Sequence, residues 1–181
     1  MKVIISMLRG INVGGHHKIG MSALRDLYES LGLRDAKTFI QSGNVVFRSD
    51  VPDLVILRKR IEDGIERTFG FRPDVILRTV DELREAIANN PFAERDDIDP
   101  SKLLVTFLAD HPTDEAREKV LAIEVDPEEL RVVGGEMFIY FPNGMARPKL
   151  PLVKIEKALK TSGTGRNWNT VRKLLEMAEK L

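Results

Sequence analysis

The chain has 181 residues, and its 28 lysines and arginines balance 28 aspartates and glutamates, so no global field attracts nucleic acid or an anionic membrane. It has no cysteine, which excludes disulfides, thiolate metal sites and a cysteine nucleophile. No apolar run approaches the roughly 18 residues of a membrane helix, and Lys2–Leu8 is too short for a signal peptide. The composition predicts a soluble, cytoplasmic protein without a membrane partner.

The first half of the chain alternates between short apolar runs and amphipathic helical patterns. We predict a strand over Val3–Leu8, a helix capped by Ser22 and ended by Gly32, hairpin strands over Thr38–Ile40 and Val45–Phe47, a helix capped by Asp53 and ended by Gly70, and a strand over Val75–Leu77. The order βαββαβ is the split βαβ arrangement of ferredoxin-like folds.

The second half loosely repeats this order of elements. We predict a helix over Val80–Ala88, a strand over Leu103–Leu108, a helix capped by Thr113, hairpin strands over Leu130–Val133 and Met137–Tyr140, a helix over Leu152–Leu159, and a last helix with the apolar stripe Trp168, Val171, Leu174, Leu175 and Ala178. The predicted fold class is α+β, with two ferredoxin-like halves in tandem and a C-terminal helical appendage.

Four segments make up the predicted organisation. The first half covers residues 1–79, and a linking helix with an acidic loop covers residues 80–100. The second half covers residues 101–160. Residues 161–181 form the C-terminal helix, which packs back on the fold.

Three polar motifs stand out in this sequence. They are RGINVGG (Arg9–Gly15) after the first strand, QSGNVVF (Gln41–Phe47) in the first hairpin, and RNWNT (Arg166–Thr170) at the last helix. With Leu8 and Lys18, they resemble a bacterial family catalogued as domain of unknown function 1697 over nearly the whole chain. The resemblance implies the fold and the choice of residues and supplies no chemistry.

The chain departs from this family's pattern at two places. Family members usually carry a Ser-Lys-Leu-like triplet before the last helices, where this chain has Pro148, Lys149 and Leu150. The residue before the closing arginine is commonly Ala or Thr, and here it is Gly165. The first departure removes a hydroxyl, and the second loosens the loop.

The first motif has the composition of an anion-binding loop. Gly14 and Gly15 free backbone donors, Arg9 and Lys18 supply charge, and the N-terminus of the following helix adds about half a positive charge. The spacing is neither that of a P-loop nor that of a dinucleotide fingerprint. The alternative is a tight strand-to-helix connection with solvated charges.

The other two motifs supply amides and a second arginine. The polar side chains of the first hairpin turn either form hydrogen bonds with their own backbone or form hydrogen bonds with the edge of a bound base or sugar. A helix-capping role explains Asn167 but does not explain Arg166 or Asn169. Trp168 either packs as part of the apolar stripe of the last helix or stacks on a ligand ring. The candidate ligand-binding residues are Arg9, Asn12, Gly14, Gly15, Lys18, Gln41, Ser42, Asn44, Lys149, Arg166, Asn167 and Asn169.

No metal or cofactor is predicted. His16 and His17 are adjacent on a flexible loop and point in different directions, and His111 lies in another loop. A structural metal site needs several ligands that converge. Mg²⁺ is expected only if the ligand carries a phosphate.

Three functions remain open at this point. The leading one is binding of a phosphate- or carboxylate-bearing small molecule, nucleotide-like ligands included, at a site that the first and third motifs form together. Whether the protein is an enzyme is left open, although this residue set suits electrostatic stabilisation of a transferring phosphate. Its oligomeric state is also left open.

The alternatives are an RNA-binding module and a structural or interaction protein. The neutral charge and the missing RNP-type aromatic run argue against nucleic acid. In the structural alternative, Asn and Arg side chains hold the two halves together by capping helices and by bonding to loop carbonyls. It predicts that Arg9 and Arg166 are buried and saturated by protein acceptors.

Overall fold

A computed structural model describes residues 1–146, 148 and 150–181. The fold is mixed α/β, with two four-stranded antiparallel sheets and, within these described residues, six α-helices. The chain forms two compact units. Unit 1 comprises residues 1–84 and 173–181, and unit 2 comprises residues 85–172.

Unit 1 contains the first sheet and two complete helices. Its elements are β1 (Lys2–Leu8), α1 (Met21–Ser30), β2 (Arg34–Phe39), β3 (Asn44–Ser49), α2 (Leu54–Phe69) and β4 (Val75–Thr79). The strand order is β2-β3-β1-β4. The helix α3 (Val80–Ala88) begins in unit 1 and ends in unit 2.

One face of the first sheet packs on α1 and α2. Ile4 and Leu8 of β1 share a buried cluster with Phe47 of β3 and with Leu57 and Ile61 of α2, as the period of two in strands and 3.6 in helices requires. Asp53 caps α2 by accepting bonds from the Val55 and Ile56 backbone. Gly70 ends that helix in the left-handed region, so both predicted helix ends are confirmed.

A buried hydrogen bond lies in this cluster. The hydroxyls of Ser6 and Tyr28 are 2.8 Å apart. Burial raises the pKa of the Tyr28 phenol above its ordinary value, and the bond to Ser6 opposes that rise. The phenol is therefore neutral and can serve as a hydrogen-bonding group inside the core.

Unit 2 runs through its elements in the same order as unit 1. They are β5 (Leu103–Leu108), α4 (Asp114–Leu121), β6 (Glu129–Val133), β7 (Glu136–Tyr140), α5 (Leu152–Leu159) and β8 (Gly163–Asn167). The strand order is β6-β7-β5-β8. Thr113 caps α4, as predicted. The helix α6 (Trp168–Glu179) begins in unit 2 and ends in unit 1.

Two details of the first half differ from the prediction. Ser22 does not cap α1, because the Gly20 carbonyl already accepts the Leu24 backbone N–H at 3.0 Å. The helix therefore starts at Met21, with Gly20 at the N-cap. Ile40 is not in a strand, because its φ of 51° places it in the hairpin turn.

The strand β8 is the main difference in the second half. Arg166 and Asn167 were predicted to open the last helix within residues 161–181, yet Gly163–Asn167 forms a strand that pairs antiparallel with β5. Arg166 lies opposite Val105, and Thr164 lies opposite Phe107. This segment has no apolar run, so the pairing with a distant strand, rather than local propensity, makes it a strand.

We predict that Gly163 is needed for the approach of β8 to β5. A Cβ atom at this position would lie 2.8 Å from the Phe107 carbonyl oxygen, which is backbone and cannot turn away. Gly163→Ala should lower the free energy of unfolding by about 1–3 kcal/mol, measured by urea denaturation.

Gly165→Ala is the matched control on the same strand. Its Cβ would meet only the Leu104 side chain, at 3.1 Å or more, so it should cost clearly less. Equal losses for the two variants would contradict the close approach.

Candidate functional site

Three connections of unit 1 meet at the carboxyl end of β1. They are residues 9–20 between β1 and α1, residues 40–43 between β2 and β3, and residues 70–74 between α2 and β4. The Leu8 N–H donates to the Gly43 carbonyl, and the Arg9 N–H donates to the Asp74 carbonyl, each at 2.9 Å. The first two sequence motifs therefore lie side by side.

The Asn12 side chain holds the first of these connections in place. Its Nδ2 donates to the carbonyls of Ile19 (3.0 Å) and Gln41 (2.8 Å). Its Oδ1 accepts the Ile19 N–H at 2.9 Å. Asn12 has a φ of 55°, a conformation that asparagine tolerates better than most residues. Its amide is thus bonded to the main chain at both ends.

The exposed tip of this connection is a small turn of its own. Val13 and His16 form an isolated bridge, and Gly14 and Gly15 between them have φ values of 58° and 78°. Left-handed backbone of this kind favours glycine. The turn leaves the backbone of both glycines exposed.

The second motif forms the turn that receives Asn12. Asn44 is fully buried, and its Nδ2 donates to the Phe39 carbonyl (3.0 Å) and to Ser42 Oγ (2.9 Å). A Cβ atom at Gly43 would lie 2.5 Å from Ile11, which explains the glycine. Gln41 is exposed, and its carbonyl accepts the bond from Asn12. The turn itself thus accounts for the roles of Ser42 and Asn44.

The cations around these connections differ in the number of carboxylates that they contact. Arg9 is partly exposed, and its Nη1 lies 3.7 Å from Asp74 Oδ2. Arg72 bonds to Glu62, Asp63 and Glu66, and this guanidinium lowers the pKa of Asp63. Lys18 is exposed, and no carboxylate of the described residues pairs with it. Lys18 is therefore the cation of this group that an external anion can engage.

The N-terminus of α1 has no side-chain cap. Gly20 has the ordinary extended values φ −68° and ψ 140°, no carboxylate lies in the first turn, and no side chain bonds to the cap. A Cβ atom at Gly20 would meet nothing within 4 Å. Neither backbone strain nor packing therefore requires glycine where Ser, Asp or Asn would be stabilising. Gly20 was not among the candidate residues predicted from the sequence, although a glycine at the position of a capping residue was a signal for it.

The third motif lies in unit 2. Arg166 is 5% exposed, and its Nη1 donates to Thr164 Oγ1 (2.7 Å) and to the Gly165 carbonyl (2.9 Å). Burial lowers the pKa of Arg166 to about 10, which still leaves it charged at neutral pH. Protein acceptors therefore engage this arginine, as the structural alternative requires.

The neighbours of Arg166 have separate positions. Asn167 Oδ1 accepts the Asn169 N–H at 2.9 Å, and its Nδ2 donates to the Ser101 carbonyl at 2.8 Å. The predicted cap of the last helix is thus confirmed. Asn169 is exposed. Lys149 lies outside the described residues, and its place in a site stays a prediction.

Neither a metal cluster nor a membrane helix is found in the part of the chain that the structure describes. No three His, Asp or Glu side chains there come together as metal ligands. Among these same residues, no helix combines the length and the apolar character needed to cross a bilayer.

Comparisons with known proteins bear on the family and on the fold. The family model described as "Protein of unknown function (DUF1697)" matches residues 1–138. A solved structure described as that of the conserved bacterial protein SP0830 from Streptococcus pneumoniae has a TM-score of 0.74 and 23% sequence identity, with 98% of each chain covered. A comparison with the curated proteins found no match.

We predict that the Asn12 amide, rather than its backbone conformation, stabilises the connection. Asn12→Gly accepts the φ of 55° but loses three hydrogen bonds, so the free energy of unfolding should fall by about 1–3 kcal/mol. Denaturant unfolding gives this loss, and amide exchange at Ile19 should accelerate. Gly10→Ala, which strains a φ of 67° in open space, is the control and should leave Ile19 exchange unchanged. Unchanged stability of Asn12→Gly would contradict this role.

We also predict that Arg166 stabilises unit 2. Arg166→Ala removes the bonds to Thr164 and Gly165 together with buried packing, which should cost about 2–4 kcal/mol in thermal or urea unfolding. Arg172→Ala, an exposed arginine on α6, should cost less than about 0.5 kcal/mol. A stable Arg166→Ala variant would show that the fold does not need this side chain.

Proposed function

Since the chain belongs to the family described as "Protein of unknown function (DUF1697)", we propose from its own residues that it binds a phosphate- or carboxylate-bearing small molecule. The ligand, nucleotide-like molecules included, binds in unit 1 at residues 14–23. This anion site combines the glycine turn, Lys18 and the first turn of α1. It includes only some of the candidate residues that were predicted from the sequence.

The uncapped start of α1 carries this proposal. The first backbone N–H groups of a helix have no intrahelical partner and attract anions. Asp53 and Thr113 supply side-chain acceptors to α2 and α4, whereas Gly20 supplies none to α1. An external carboxylate or phosphate can occupy the position of the missing cap.

Charge and backbone donors around this helix start favour the same ligand. Lys18 is exposed and lies two residues before Gly20. Gly14 and Gly15 add exposed N–H groups on a turn that the Asn12 side chain holds in place. A fixed loop loses little entropy when a ligand binds, so these donors need no reordering.

The remaining candidate residues have supporting roles in this proposal. Asn12, Gln41, Ser42 and Asn44 position the loop through the bonds described above. Arg9 adds positive potential, although Asp74 shares its charge. Arg166 and Asn167 serve the second sheet and α6. Asn169 and Lys149 remain predictions from the sequence and are not included in this anion site.

We further propose that each unit has the ferredoxin-like topology and that the protein is cytoplasmic. The topology is supported by the order βαββαβ in each unit and by sheets that place the first strand between the third and the fourth. The location is supported by the absence of cysteine.

The function predicts ligand-dependent stabilisation. We expect a hit in a thermal-shift screen of nucleotides, sugar phosphates, coenzyme A derivatives and small carboxylates, with Mg²⁺ added to each phosphate ligand. A ligand at 100 times its dissociation constant adds about 2.7 kcal/mol of stability. Titration of ¹⁵N-labelled protein with the hit, or with inorganic phosphate, should move the amide signals of Gly14, Gly15, Ser22 and Ala23.

A matched pair at Gly20 tests the location of the anion site. Gly20→Asp places a carboxylate at the cap, which should raise stability by a few tenths of a kcal/mol, roughly, and weaken anion binding at least about tenfold. Gly20→Ala adds no acceptor and should bind within about threefold of the parent, since it loses no ligand group. Lys18→Gln should weaken binding, and Lys59→Gln, on α2, should not. Equal binding by both Gly20 variants would refute the site.

A further inference from the structure

A pocket of about 270 Å³ lies in unit 2 at the start of α6. Its wall combines aromatic and apolar side chains with three polar ones, and includes Asn90, Phe92, Arg95, Leu103, Trp168 and Arg172. All of these residues belong to unit 2. The pocket shares no residue with the anion site proposed in unit 1, so each of the two proposals can fail without affecting the other.

Two buried apolar side chains, those of Phe92 and Leu103, form what we call the floor of the pocket. Phe92 and Leu103 are almost fully buried, at 3% and 1% exposure. The Arg95 guanidinium lies 5.6 Å from the centre of the Phe92 ring and is bonded to Asp97 and Glu129. Those two carboxylates neutralise Arg95, so it forms part of the wall rather than a free ligand group.

Trp168 adds an aromatic surface to the pocket lining. It is the first residue of α6 and is partly exposed, unlike Val171 and Leu174 of the same predicted stripe, which are buried. Among the residues that the structure describes, no ring or guanidinium stacks on it. A partly exposed indole of this kind can stack on a planar ligand.

Arg172 supplies a charge next to this indole. It lies four residues after Trp168, so both side chains share one face of α6, and both line the pocket. It is exposed and, within the described parts of the chain, neither an ion pair nor a hydrogen bond engages its guanidinium. Asn90 Oδ1 accepts the Phe92 N–H at 3.0 Å, which leaves the Asn90 Nδ2 as a second donor.

We propose that this pocket binds a single-ring aromatic carboxylate. The ring stacks on the Trp168 indole over the Phe92 and Leu103 floor, and the carboxylate pairs with Arg172 and accepts a bond from Asn90 Nδ2. Pockets for drug-sized ligands typically measure about 300–1,000 Å³. A volume of 270 Å³ therefore suits one ring with its acid group better than a whole nucleotide.

The only tryptophan of the chain makes binding directly visible. Because Trp168 is the only one, its fluorescence reports this pocket alone. We expect benzoate to quench the emission with a saturable profile. Benzamide, which lacks the charge, and cyclohexanecarboxylate, which lacks the aromatic ring, should each bind at least about fivefold more weakly, since a charged hydrogen bond and a stacked ring each contribute about 1 kcal/mol or more.

Variants separate recognition from a merely structural effect. Arg172→Gln should weaken benzoate binding about tenfold or more and leave benzamide binding within about twofold, because only the charged pair is lost. Arg67→Gln, an exposed arginine of α2, is the matched control and should bind benzoate like the parent. The Trp168→Leu variant should bind benzoate more weakly than the parent. Its binding is measured by calorimetry, because the variant has lost the fluorescent tryptophan.

The outcomes that overturn the proposal are distinct. One is the absence of saturable quenching by benzoate at any concentration up to solubility. Another is equal weakening of benzoate and benzamide by Arg172→Gln, which would mean a general loss of structure. Gly20→Asp should leave benzoate binding unchanged, so failure of the anion site in unit 1 leaves this test intact.

Discussion

Hydrogen bonding along both edges of β1 is the constraint from which the rest of unit 1 follows. β1 pairs with β3 on one side and with β4 on the other, and both pairings are antiparallel. The chain leaves β1 through residues 9–20 and α1 before it returns to the sheet as β2. The end of β1, the β2–β3 turn and the start of β4 then lie at one end of the sheet, and the proposed anion site is built on the first of these connections.

Local signals in the sequence were sufficient for most helices and for the strands with apolar runs. Asp53 and Thr113 cap their helices as predicted, because a cap bonds to residues two or three positions away. The strand β8 could not be found in this way. Its residues are Gly, Thr, Gly, Arg and Asn, and the pairing of Arg166 with Val105 joins positions far apart in the chain. Such a strand is specified by its partner.

The candidate site shows the same division between local and distant information. Motif composition pointed to the loops and to the asparagines of the first two motifs, yet it could not show that the amides of Asn12 and Asn44 are bonded to the main chain. Side-chain amides have equal chemistry whether they hold a loop or a ligand. Arg166 likewise looked available from its position before a helix, but its strand carries it into a buried environment. Gly20 is the opposite case. Its candidate role depends on the absence of a side-chain cap at the start of α1, which only the structure shows.

The division of unit 1 along the chain has a consequence for biosynthesis. Residues 173–181 belong to unit 1, and the bond of Arg84 to Glu179 and that of Arg48 to the Leu181 carbonyl connect them to it. All strands of the first sheet have been translated once residue 79 is made, but these contacts must wait until the whole of unit 2 has followed. On the ribosome, where domains generally fold from the N-terminus onward, the first sheet therefore exists for a time without its last segment. Completion of unit 1 is coupled to the translation of unit 2.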